Sequence, residues 1–192
     1  MKMREKFEEA LKEMIPLGKE LLDWMNAQPE ASGHEKQTCA YLVKKLSEHG
    51  YNVTSPVKRI KYSFLAKREN SLKKKPRIAL LCEYDASCAA SIICALALEA
   101  AYEDFPFDID LIGTPNEEIA GAKISMLEKG LFSSYEFAIL SQMSPVNSTC
   151  FHTLAASDLN VHFFGKTAHA SANPWEGINA LNGVQLFFHA ID

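Results

Sequence analysis

Four carboxylates and two amides stand where apolar runs give way to polar residues: Glu83-Tyr84-Asp85, Thr114-Pro115-Asn116-Glu117-Glu118 and Ser141-Gln142-Met143. Adjacent carboxylates such as Glu117 and Glu118 can divide labour, one binding a metal ion while the other moves a proton. They suit the first turn of a helix equally well, where negative charge meets the positive end of the helix dipole. Asp85 has the same two readings, as a site acid or as the cap of the following helix, with Ser87 competing for that place. A further stretch, Phe164-Gly165-Lys166-Thr167-Ala168-His169-Ala170-Ser171, holds His169 in a turn of small residues ahead of Pro174. A histidine in such a turn is commonly structural or simply solvated, and Trp175 after it is more often a packing anchor than a ligand platform. Cys150-Phe151-His152 puts two metal-binding side chains on one face of an extended stretch, with no third ligand evident.

The elements that must position these residues are legible from periodicity. Phe7, Leu11, Met14, Leu17, Leu21 and Met25 recur at helical spacing over residues 3–27, and Pro16 is expected to kink or split that helix. Cys39, Leu42, Val43 and Leu46 mark a second helix that stops near His49-Gly50. Residues 51–53 and 60–65 read as strands, and 67–75 as a basic solvated loop. From residue 77 strands and helices alternate: strand 78–82, helix 87–102, strand 107–113, helix 119–129, strand 137–140. That order predicts an α/β layer with a largely parallel core and right-handed crossovers. In such sheets ligands bind beyond the carboxyl ends of the strands, so the carboxylates and amides share one rim. Residues 159–164 are strand-like, and a helix is expected over 174–191.

Composition narrows the function classes. Of 192 residues 47% are hydrophobic and 23% charged, enough to bury a core, and the net charge of −4 gives no basic field for nucleic acid. No apolar run is long enough to span a membrane, and the charged N-terminus leads into an amphipathic helix rather than a signal peptide. Five cysteines, an odd number mostly in apolar runs, are expected to be reduced thiols in a cytoplasmic protein.

The motifs Leu80-Leu81-Cys82-Glu83-Tyr84-Asp85-Ala86, Gly113-Thr114-Pro115-Asn116-Glu117-Glu118, Gly121-Ala122-Lys123-Ile124, Phe164-Gly165-Lys166-Thr167-Ala168-His169-Ala170-Ser171 and Asn173-Pro174-Trp175-Glu176-Gly177-Ile178-Asn179-Ala180-Leu181 occur in one order along the chain. In that order they resemble the amidohydrolase branch of zinc-dependent metallopeptidase family twenty, which includes aminoacylases, aminobenzoyl-glutamate hydrolases and carboxypeptidase G. The resemblance implies a three-layer α/β/α catalytic domain with a mostly parallel sheet, followed by an α+β lid that makes a dimer. It implies a hydrolase that uses two metal ions, zinc or manganese, to cleave amide bonds of N-acyl amino acids or small peptides. By motif position Glu117 is then the general base, Glu118 a metal ligand, Asp85 the acid that orients a metal-binding neighbour, and His169 the lid histidine that meets the substrate.

The chain also departs from the pattern. The family follows its Tyr-Asp-Ala stretch with a loop that supplies a cysteine and a histidine to the metals; here Asp85-Ala86 runs directly into Ser87-Cys88-Ala89-Ala90 and an apolar helix. Where the family has a ligand histidine after its next strand, this chain has Gln142-Met143. A catalytic zinc needs about three protein ligands, and Glu118 alone is inherited. The expectation is therefore an incomplete catalytic domain over residues 1–150 and a partial lid and dimerisation domain over 151–192. Such a chain would bind no metal and be inactive by itself. The alternative roles are a non-catalytic relative or a dimerising interaction module.

Overall fold

The computed structural model describes residues 3–68, 75–149 and 159–191, so Cys150 and His152 lie outside the described residues, as does most of the basic loop. The chain divides into two compact units, Met1–Pro145 and Val146–Asp192.

The first unit contains α1 (Met3–Ala27), α2 (Lys36–Glu48), β1 (Asn52–Thr54), β2 (Phe64–Lys67), β3 (Arg77–Cys82), α3 (Ala86–Ala101), β4 (Asp108–Gly113), α4 (Ala122–Glu128) and β5 (Phe137–Leu140). Its sheet runs in the order β1-β2-β4-β3-β5. β3 pairs in parallel with both β4 and β5, whereas β2 is antiparallel to β4 and to β1. Only β2 therefore runs against the other four, and the predicted parallel core is present.

Side chains of β3 alternate between two apolar layers, which is why its sequence reads as an unbroken hydrophobic run. Ile78, Leu80 and Cys82 join Leu111 of β4, Ile92 and Leu96 of α3, Leu21 of α1 and Leu42 of α2. Ala79 and Leu81 point the other way, with Ile112, Ala122, Met126 and Leu131. The sheet is thus covered by helices on both faces, the three-layer arrangement expected. One buried charge lies on β4: Asp110 is wholly buried, accepts from Arg77 Nε at 3.0 Å and from the Tyr135 hydroxyl at 2.6 Å.

Several local expectations are revised, among them the strand read over 60–65, which the structure places at Phe64–Lys67. Pro16 lies inside one continuous α1 and does not split it, because the packed face carrying Leu21 and Met25 holds the helix across the missing N–H. α4 begins at Ala122 rather than near residue 119, because Gly121 adopts a left-handed conformation (φ 57°) that interrupts any helix before it. In the second unit residues 159–164 form no strand; the only pairing there among the described residues is the bridge between Lys166 and Ile178. The final helix is also shorter than expected. A single 3-10 turn, Pro174–Glu176, precedes Gly177, and α5 covers Ala180–Ile191. Gly165 is needed beside the bridge, since an added Cβ would lie 2.7 Å from the Ile178 carbonyl oxygen.

Candidate functional site

The carboxyl ends of β3, β4 and β5 bring Glu83, Asp85, Glu117 and Gln142 to one side of the first unit. β3 ends in Cys82, and the buried Glu83 follows at once. Two residues later Asp85 is the N-cap of α3: its Oδ1 accepts from the Ser87 backbone N–H at 2.8 Å and from the Ser87 hydroxyl at 2.5 Å. The turn from strand to helix is therefore only three residues long. β4 ends in Gly113, where an added Cβ would meet the Phe64 ring at 2.4 Å, so the close approach of β2 requires glycine.

Beyond Gly113 the chain passes through buried Thr114 and Pro115 to Asn116, which takes a left-handed conformation (φ 59°). Asparagine tolerates that region better than most residues. The turn is held from outside the sheet: the Asn116 N–H donates to Glu35 Oε1 at 2.7 Å, and the Glu118 N–H to the Ser32 hydroxyl at 3.2 Å. Glu30, in the same connection between α1 and α2, accepts from the Gln37 N–H at 3.0 Å and the Thr38 N–H at 2.7 Å, capping α2 from six residues before it. Burial acts to raise the Glu30 carboxyl, but the bonds from Gln37 and Thr38 outweigh it and leave its pKa below the usual value.

At the centre lies a cation that sequence reasoning did not single out. The Lys123 ammonium, in the first turn of α4, contacts Glu83 Oε1 and lies 2.6 Å from Glu117 Oε1. The second oxygen of Glu83 accepts from Gln142 Nε2 at 2.6 Å. Glu117 Oε2 is buried without a hydrogen-bond partner among the described residues, as are Glu35 Oε2 and Thr114 Oγ1. Glu35, Glu83, Asp85, Glu117 and Glu118 border a small open cavity of about 160 Å³. Glu118 itself is exposed at its mouth.

His169 belongs to the second unit. Its Nδ1 accepts from the Ala172 N–H at 3.2 Å, so the neutral ring carries its proton on Nε2. The ring is exposed, beside Ser171. Lys123 and Glu35 were missed for identifiable reasons. A lysine soon after two acids reads as a surface residue, and the Glu35 contact spans a sequence separation that no local pattern reports. The available signal was the motif Gly121-Ala122-Lys123-Ile124, which contains Lys123 without giving it a role.

These residues do not fit the pair of metal ions that the resemblance implies. Among the described residues no group of three or more histidines, cysteines, aspartates or glutamates is placed to hold a metal ion. Asp85 is engaged as a helix cap, and a lysine ammonium lies between Glu83 and Glu117. Cys88, the nearest soft donor, is fully buried; its hydrogen bond with Cys82 and its burial push the thiol well above the ordinary range. A thiol kept protonated is a poor ligand.

Known proteins resemble the chain in both sequence and fold. It is 35% identical over 128 residues to the Xaa-Arg dipeptidase of Mus musculus, a match covering 58% of this chain and 30% of that protein. It is 29% identical over 141 residues to the Xaa-Arg dipeptidase of Homo sapiens, covering 65% of this chain and 32% of the relative. The chain thus spans about a third of the length of these relatives. Among solved structures, a dinuclear metal-binding peptidase of the M20 family from Bacillus subtilis superposes with a TM-score of 0.53 at 20% identity, over 68% of this chain and 42% of its own. The aminobenzoyl-glutamate utilization protein of Klebsiella pneumoniae gives 0.57 at 16% identity, over 70% and 46%. No family model matches the chain. The resemblance to metallopeptidase family twenty read from the motifs is therefore supported by similarity to two dipeptidases and by a shared fold.

Proposed function

We propose that this chain keeps the architecture of a metal-dependent amide-bond hydrolase and uses its strand-end cleft to bind small peptides or N-acyl amino acids without cutting them. The carrying observation is the engagement of the cleft's carboxylates by the protein itself. Glu83 and Glu117 share the Lys123 ammonium, and Asp85 caps α3 across a turn too short to hold a ligand loop. The oxygen of Glu117 that a water would need, Oε1, is occupied by the ammonium, 2.6 Å away. Peptide ligands follow from the relatives, which are dipeptidases.

The test is incubation of the purified chain with Xaa-Arg dipeptides and N-acyl amino acids, with zinc or manganese supplied, reading amine release. The expected result is no turnover, with saturable dipeptide binding seen by calorimetry. Metal-dependent hydrolysis that disappears in Glu117→Gln would overturn the proposal.

One observation favours a second reading, a working hydrolase whose remaining metal donors come from outside the described residues. Glu117 Oε2 is buried without a partner there and offers an acceptor for a water. In that reading Glu117 moves the proton, Glu118 joins the metal ligands, Asp85 orients a neighbour, and His169 meets the substrate from a lid that begins in the second unit.

A further inference from the structure

One cavity of the first unit lies away from the strand-end cleft and shares no lining residue with it. It is a groove of about 330 Å³ between α2 and the connection from β1 to β2. We infer that this groove binds a small amphipathic anion, a carboxylate carried on a compact apolar body. The inference is independent of what the strand-end cleft binds.

Cys39, Ala40 and Val43, on one face of α2, line the groove together with Pro56 and Tyr62 from the connection. The polar atoms of Ser55 in that wall are already spent. Its hydroxyl donates to the Ser63 carbonyl at 2.7 Å, and the Cys39 sulfur lies 3.6 Å from the same oxygen. The connection is fixed as well: the Ser63 hydroxyl accepts from the Val57 N–H at 2.9 Å, and the Tyr84 hydroxyl donates to the Tyr62 carbonyl. Tyr62 itself is held in a left-handed conformation (φ 60°) that a bulky residue rarely takes. The groove is therefore formed before any ligand arrives, and its lining suits an apolar group. Charge decides what accompanies that group. Lys36 and Lys61 border the same groove, both are exposed, and neither forms an ion pair among the described residues. The other lysines of α2 are paired, Lys44 with Glu48 and Lys45 with Glu20 and Glu48. Glu35, beside Lys36 in the chain, is buried and engaged by the Asn116 N–H. Lys58 and Arg59 add two further positive charges in the same connection. In a chain of net charge −4 this is a local positive field over an apolar surface. A carboxylate with an apolar body complements both parts, because it fills the groove and meets the ammonium groups at its border with charge-assisted hydrogen bonds. A neutral apolar ligand would leave the cations unused, and a bare anion would leave the groove unfilled.

Calorimetry on the full chain tests this with sodium octanoate, with octanamide as its uncharged match and inorganic phosphate as the bare anion. The expected result is saturable binding of one equivalent of octanoate, about tenfold weaker binding of octanamide, and no displacement of octanoate by equimolar phosphate. Two variants locate the site. Residue 40 is exposed on α2, so Ala40→Trp should fill the groove, leave the melting temperature unchanged and abolish octanoate binding. Should that variant fail to fold, Lys36→Glu with Lys61→Glu reverses the charge of two exposed side chains. The double variant is expected to bind octanoate about tenfold more weakly and octanamide as before. Wild-type protein that binds no octanoate, or binds octanamide as tightly, would overturn the inference. Octanoate binding undiminished in either folded variant would overturn it too, by placing the anion elsewhere. Displacement by phosphate would do the same, since it would mark a bare anion patch with no use for the apolar wall.

Discussion

Glu30 shows how much one side chain outside any regular element can control. It lies before α2 and supplies the cap that the residue at the helix start does not, since Glu35 is turned instead toward the Asn116 N–H. Replacing Glu30 with Gln should cost about 1 kcal/mol, the usual worth of an N-cap with charge at a helix start. The pH dependence has a definite sign. The folded carboxyl titrates below its unfolded value, so its contribution is fully present above the ordinary carboxylate pKa and is lost as pH falls through the lower folded one. Urea unfolding of wild type and Glu30→Gln should therefore differ at neutral pH and converge in acid. A gap that persists or widens in acid would show that the cap acts by shape and not by charge. Glu30, Glu35 and Lys123 were all invisible as a group in the sequence. Glu30 and Glu35 come near the strand ends through the docking of the connection between α1 and α2, and Lys123 through the start of α4, whereas Glu83, Asp85, Glu117 and Gln142 could be listed as neighbours because strand ends in a parallel sheet share a rim.

At the scale of elements, legibility followed the strength of the local pattern. β3 and α3 were readable as continuous apolar segments because each is packed against neighbours, and their observed bounds fall within a residue of those expected. The strand expected over 159–164 did not form, because alternation of side chains specifies a strand only when a partner edge is there to pair with it. α4 and α5 both start later than periodicity suggested, α4 just beyond the left-handed Gly121 and α5 beyond the bridge that holds Ile178 to Lys166. α1 gives the opposite case. Pro16 removes one backbone hydrogen bond and sits on the exposed side of a helix held by its buried face. Pro16→Ala should thus raise stability by roughly 1–3 kcal/mol, the penalty ordinarily attached to an interior helix proline. A melting temperature unchanged or lowered by that substitution would mean that α1 bends around Pro16 in a way its packing needs.

The molecule as a whole leaves apolar surface open. β5 is an edge strand with Phe137 and Ile139 nearly half exposed, and α4 shows Ile124 and Leu127 to solvent. In the second unit α5 likewise exposes Leu181, Leu186, Phe188 and Ile191. Unpaired edges and apolar patches of this kind promote association between copies. Sedimentation should show a molecular weight that rises with protein concentration, and Ile139→Lys should lower that rise by placing charge on the β5 edge. A wild-type chain that stays monomeric throughout, or a variant that associates as strongly, would remove the edge from consideration.

The sheet order carries one more consequence, for the route by which the chain folds. β3 is the hub of the parallel core, yet its partners are distant: Arg77 meets Asp108, 31 residues away, and Ile78 meets Phe137, 59 residues away. Neither pairing can form as a hairpin, and each must close a loop containing a helix before its hydrogen bonds return any free energy. Folding of such a core is slow compared with a helical bundle of equal size. Amide protons of β3 are consequently expected among the last to become protected during refolding and, once protected, among the slowest to exchange.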